Sequence, residues 1–231
     1  MKPRFPYPGA YYVSQLFDNV SLGYHHYGVD IVPLDKAGGN HWPAPIFPIL
    51  GGKTLSVANT DKDRGKGIRV RTLLSPQFTA YLVANGLVPT TYSGSVYLDC
   101  LYWHCLMVTD LDGTIHQNTP VGITGNTGFV IAGGIVVPDY QKGVPPYPGL
   151  HLHLETVITN GATPFNTTKD QWGRIDPLKI LSYQGDNMGQ LKTQSYKGEL
   201  RIVIPAIDIP EWNAICQKFG LDPTQINETI T

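Results

Sequence analysis

The sequence predicts a mainly β protein made of many short strands joined by turns. Three observations carry that reading. Gly (25) and Pro (19) are plentiful, which punctuates the chain into short pieces. Tyr, Thr and Val are frequent, and long Ala/Leu/Glu/Lys runs are missing, which suits pleated, half-buried surfaces better than a helical bundle. Apolar runs of strand length recur between turn signals.

The elements follow in chain order. Residues 1–24 read as an irregular lead-in with one or two short strands. Ile46-Phe47-Pro48-Ile49-Leu50 ends at Gly51-Gly52, and Thr54 to Ala58 follows. Gly67-Ile68-Arg69-Val70-Arg71-Thr72 alternates apolar and charged residues, as a half-buried strand does. Residues 75–94 fit either a short helix or a loop. Ser95 to Met107 reads as one or two strands, and Pro120 to Thr124 as another. Residues 129–149, rich in Gly, Pro and Val, suit a loop or a small hairpin. Leu150 to Ile158 is a strand. Glu199 to Ile204 suits a further strand, and Pro210 to Phe219 a short helix stopped by Gly220.

Composition excludes several function classes. A net charge of -1 gives no basic field for nucleic acid. No run of about 18 apolar residues is present, so no membrane-spanning helix is expected. Met1 to Pro6 carries basic residues without an apolar stretch behind them, so no secretory signal is expected. Cys100, Cys105 and Cys216 form neither a CxxC pair nor a zinc-ribbon spacing. They read as small buried thiols, with Cys100 and Cys105 on opposite faces of a strand. Neither a G-x-S-x-G nor an HExxH motif occurs.

Seven histidines are present, and two groups stand out. In Gly149-Leu150-His151-Leu152-His153-Leu154-Glu155, a strand puts His151 and His153 on one face and the leucines on the other. That leaves two readings, a pair exposed on a solvated sheet or a pair over a cleft or metal. In His26-Tyr27-Gly28-Val29-Asp30, a histidine and a carboxylate lie four apart around a glycine that lets the backbone turn. Two imidazoles and one carboxylate suit Zn²⁺, which in catalytic sites takes three protein ligands and keeps a fourth position open. His104, in Tyr102-Trp103-His104-Cys105-Leu106, has an apolar strand-like setting, and alone reads as a core residue.

Several motifs, in order, resemble those of the lysostaphin/LytM-type peptidoglycan metallo-endopeptidases. His26 to Asp30 is similar to that family's HxGxD zinc motif. Pro45 to Lys53 and Gly65 to Val70 are similar to its early strands, and Tyr102 to Leu106 to its Y-x-H-L motif. Pro120 to Gly128 is similar to its G-x-x-I-G-x-x-G-x-T-G run with the first glycine missing. Gly149 to Glu155 is similar to G-x-H-L-H-F-E, and Ile175-Asp176-Pro177 to the V-D-P close.

The resemblance implies a small antiparallel β-sheet or sandwich domain with a groove, over 1–185 with its core at about 15–182, and a C-terminal extension at 186–231. It implies one zinc ion held by His26, Asp30 and His153. His151 is the implied base, and His104 the implied stabiliser of the oxyanion or partner in acid catalysis. His25 stands beside the motif at the wrong spacing. The implied substrate is the peptide of bacterial cell wall, cross-bridge or stem. The expected setting is a phage lysin or virion-associated enzyme, in the tail or in host cytoplasm before release, with other tail proteins as partners of the extension. The alternative is an inactive or structural tail component that keeps the fold. Two stretches exceed the family pattern, near 74–94 and 129–148, and both are expected close to the groove.

Overall fold

The computed structural model describes residues 2–7, 9, 11–20, 23, 25–34, 43–109, 113–167, 170 and 172–183, and the backbone of 192–196 and 199–203. The chain is mainly antiparallel β. Its strands are β1 (Tyr11–Gln15), β2 (Val29–Pro33), β3 (Pro45–Ile46), β4 (Gly52–Asp61) and β5 (Gly65–Leu73). Helix α1 (Pro76–Ala84) separates these from β6 (Tyr97–Cys105), β7 (Met107–Val108), β8 (Thr114–Ile115) and β9 (Gly122–Ile123). Then come β10 (Ile131–Ala132), β11 (Ile135–Val136), β12 (Leu152–Thr159) and β13 (Arg174–Ile175). Helix α2 (Pro177–Leu181), β14 (Lys192–Tyr196) and β15 (Glu199–Val203) follow.

One large sheet runs in the order β14-β15-β1-β2-β12-β6-β5-β4-β8, with β13 beside β12. A smaller sheet, β3-β9-β7, stands apart from it. One core cluster takes Val29, Ile31, Leu152, Leu154, Tyr102, Ile68 and Val70 from the large sheet, with Ile46, Val121, Phe78 and Leu82. Burying these side chains supplies the main stabilisation, about 1.5–3 kcal/mol for each fully buried aliphatic or Phe. The strand period of two therefore leaves Asp30, His153, Glu155 and Trp103 on the other face.

The 74–94 stretch departs from its expected place by the groove. Ser75 caps α1 by accepting from the Phe78 amide, and a proline opens the helix. Phe78 and Leu82 are buried in the core, and the Phe78 ring stacks on Tyr183. None of its residues lines the groove. Its apolar side chains join the core cluster, which draws the segment away from the groove. The 129–148 stretch meets its expectation, because β10 and β11 form a hairpin and Phe129 to Gly134 line the groove.

Cys100 and Cys105 also depart from the expected alternation, since both belong to the core cluster. The cause is a bulge in β6. Lys66 pairs with Cys105 but Ile68 pairs with Tyr102, so β6 carries one residue more than β5 across that interval. His104 absorbs it with φ 63, a left-handed conformation that few non-glycine residues adopt. The strand Glu199 to Ile204 corresponds to β15, which joins the large sheet through Tyr11↔Ile202 and Tyr12↔Arg201. Residues 210–219, His41 and Cys216 lie outside the described residues.

Candidate metal centre and its groove

Three neighbouring segments deliver the site. On β2 and β12, Asp30 stands directly across from His153, so the carboxylate and the imidazole meet as a cross-strand pair. His26 reaches them from the loop before β2, where it bridges to Asn19. His26 Nε2 lies 3.0 Å from Asp30 Oδ1 and 2.9 Å from His153 Nδ1. His153 Nδ1 lies 2.8 Å from the same Oδ1. The three atoms thus close a triangle.

The hydrogen-bond partners of the outer nitrogens fix the tautomers. His26 Nδ1 faces the Leu16 carbonyl at 3.1 Å and so carries a proton. His153 Nε2 faces Glu155 Oε1 at 3.3 Å and does the same. Each ring therefore turns its other nitrogen inward. Gly28 is needed for a different reason than a turn. A Cβ there would lie 2.6 Å from two atoms of the His153 ring and 2.8 Å from the Leu154 carbonyl oxygen.

His151 and His104 flank the triangle. His151 Nδ1 donates to the Gly149 carbonyl at 2.7 Å, and its Nε2 lies 3.7 Å from Asp30 Oδ1. His104 Nδ1 donates to the Thr127 carbonyl at 2.7 Å. Their ring centroids are 4.7 Å apart. Both rings thus leave Nε2 as the group free to exchange protons. The bulge is what turns His104 here, since regular alternation would have sent it into the core.

The electrostatics divide these groups. Burial and the neighbouring His151 and His153 push the His104 pKa well below the usual imidazole range. Burial alone would raise Asp30, but His151, His153 and His26 hold it well below the usual carboxylate range. Burial would lower His153, yet hydrogen bonds and charge from Asp30 and Glu155 raise it to about 9.

The donor set fits a metal. His26, Asp30 and His153 offer ligand atoms within 4.8 Å of one another. Two nitrogens and one carboxylate oxygen are a set Zn²⁺ accepts, and ligand distances of about 2.0–2.1 Å in a tetrahedron need separations of roughly 3.3 Å. The triangle is tighter by a few tenths of an ångström.

A groove of about 670 Å³ holds the site, within the size range of ligand pockets. Tyr12, Ser14 and Gln15 of β1 line it together with the β10–β11 hairpin. The hairpin's stretch is tied down by Asn126, fully buried. Asn126 donates to the Gln141 and Pro148 carbonyls and accepts from the Gly143 amide. His25 sits at the rim, exposed and paired with Asp18 at 2.7 Å, and His116 is exposed elsewhere.

Sequence reasoning missed Glu155 and Arg174 as parts of the site. For Glu155 the signal was present, since it lies two residues beyond His153 on the same strand face. Arg174 had none, being brought in by β13.

This chain is thus an antiparallel β protein with a His₂Asp cluster in a groove that could hold a metal ion. No protein-family model matches it, and no curated protein does. Solved structures are similar at low identity and include peptidases. A chain of the SpoIIQ–SpoIIIAH pore forming complex is 13% identical with TM-score 0.44, over 78% of this chain and 90% of that one. A zinc containing peptidase from Vibrio cholerae is 14% identical with TM-score 0.42, over 76% of this chain and 39% of that one. The catalytic domain of the prophage-encoded M23 protein EnpA from Enterococcus faecalis is 14% identical with TM-score 0.42, over 76% and 94%. At these identities the functional reading rests on the side chains themselves.

Proposed function

We propose that the chain is a zinc-dependent endopeptidase that hydrolyses peptide bonds in bacterial peptidoglycan, at a cross-bridge or a stem peptide. The observation that carries the reading is the convergence of His26, Asp30 and His153 on one point, with two more imidazoles beside it. Structural zinc sites close with four protein ligands, whereas three protein ligands leave a position for a reactant. The cell-wall substrate is supported by the ordered motifs from His26 to Asp176. A phage lysin or a virion-borne enzyme is the finer setting of this proposal.

When bound by these three residues, Zn²⁺ supplies a Lewis acid at the floor of the groove. The protein's own groups supply the proton traffic. His151 Nε2, its lone pair directed inward by the Gly149 hydrogen bond, takes a proton from water and returns it to the leaving amine. General acid–base steps of this kind contribute roughly 10²–10⁴-fold. His104 is held neutral by burial, so its Nε2 donates only after a proton reaches it. Its two implied roles, stabiliser of the oxyanion or partner in acid catalysis, both need that proton on Nε2.

The test is a variant series. His151→Ala is expected to keep zinc and lose cleavage of purified peptidoglycan, by roughly 10²-fold or more. Asp30→Ala and His153→Ala are expected to lose both. Wild-type cleavage by His151→Ala refutes the assignment. Mass spectrometry of muropeptides released from two wall chemotypes, with and without a chelator, identifies the bond.

A further inference from the structure

Behind His153 lies a chain of charged groups that the hydrolytic chemistry does not use. Glu155, buried at 2% exposure, accepts a hydrogen bond from His153 Nε2. Its Oε1 also accepts from Arg174 Nη1 at 3.1 Å and lies 3.6 Å from Arg64 Nη2. Arg174 in turn grips Asp170 through Nε at 2.7 Å and Nη2 at 3.0 Å. The Arg174 amide donates to the same carboxylate at 3.0 Å, so the short turn that Gly173 closes onto the Asp170 carbonyl aims the guanidinium. That guanidinium also sits 4.6 Å over the Tyr27 ring, one residue after His26.

We infer that Asp170, Arg174 and Glu155 form a positioning relay that sets metal affinity by locking both ligand-bearing segments at once. Arg174 packs on the His26 segment and, through Glu155, orients the His153 ring. A buried carboxylate that accepts from the outer nitrogen of a ligating imidazole fixes the ring's tautomer and raises its basicity. Glu155 needs cations to remain anionic at that depth, since burying an unpaired charge is costly. Arg174 supplies one with two carboxylate contacts and an aromatic one, a combination suited to a planar fork and not to an ammonium. Arg64 supplies a second, and it stands over Trp103 at 5.4 Å while its carbonyl accepts the His104 amide. The relay is thus built around the metal site and rests on the zinc reading above.

The experiment measures zinc affinity of the full chain by competition with a chromophoric chelator, alongside the absorption spectrum of the Co²⁺-substituted protein. Near-UV circular dichroism confirms the fold of each zinc-free variant. Glu155→Gln and Arg174→Lys are expected to bind zinc roughly 10–100-fold more weakly, with a shifted Co²⁺ band. Should Glu155→Gln not fold, Asp170→Asn, outermost in the relay, is expected to weaken zinc by about threefold or more. Folded variants that bind zinc within about twofold of the parent, losing only thermal stability, overturn the relay. A parent chain that takes up no zinc overturns the proposed function, and the relay with it.

Discussion

Removing the metal and raising the pH should destabilise this protein in a way its structure lets one size. In the zinc-free chain the His153 ring sits between Asp30 and Glu155, which lift its pKa to about 9. The ordinary imidazole value is 6.5. A pKa raised in the folded state stabilises the fold below the unfolded value, and the contribution disappears as pH climbs through the folded value. The window therefore runs from about pH 6.5 to 9. The difference of about 2.5 units, at roughly 1.4 kcal/mol each, amounts to on the order of 3 kcal/mol. His153 is 13% exposed at its side chain, so solvent screening removes little of this. Zinc acts in the opposite sense, because the metal needs the deprotonated nitrogen. Apparent zinc affinity should rise about tenfold per pH unit up to pH 9. The assay is urea denaturation of chelator-treated protein at several pH values, paired with zinc titrations. Asp30→Asn should flatten the pH dependence. Zinc-free stability that stays level from pH 6 to 9.5, or zinc affinity that ignores pH, refutes the reasoning.

Three further outcomes are expected. Gly28→Ala should lower stability by about 1–3 kcal/mol and weaken zinc, because its methyl group meets both the His153 ring and a backbone oxygen. Unchanged zinc affinity would contradict that close approach. Asn126→Ala should leave three backbone groups without their side-chain partner, at about 1–3 kcal/mol each at most. Limited proteolysis should then cut within 129–148, while zinc binding persists. Replacing the β10–β11 hairpin with a two-glycine link should alter which muropeptides are released without changing zinc affinity, since the hairpin lines the groove and holds no metal donor.

Much of the site is legible in the sequence because it is local. His151 and His153 lie two apart, so strand geometry places that pair, while His26 and Asp30 lie four apart across the short loop that leads into β2. The leucines between and beside the histidines declare which face is the core. His104 was legible only as a residue type, because its direction depends on one extra residue in β6, which short-range patterning does not reveal. The same slip upset the expected faces of Cys100 and Cys105. In the sequence Gly28 reads as a residue that lets the backbone turn, whereas its absent Cβ makes room for a ring 125 residues away in sequence. Helix α1 could have been distinguished from a loop by Ser75-Pro76, a cap followed by proline. Its destination in the core could not, because position relative to a groove is a tertiary property.

The left-handed backbone at His104 has an outcome for engineering. A side chain aimed by its rotamer must be replaced by one of similar shape if the direction is to survive. At this position the main chain does the aiming, held by the amide hydrogen bond to Arg64 and the offset against β5. Asparagine and aspartate tolerate the same backbone. Position 104 is therefore a port through which amide or carboxyl chemistry can be presented to the groove with the scaffold unaltered.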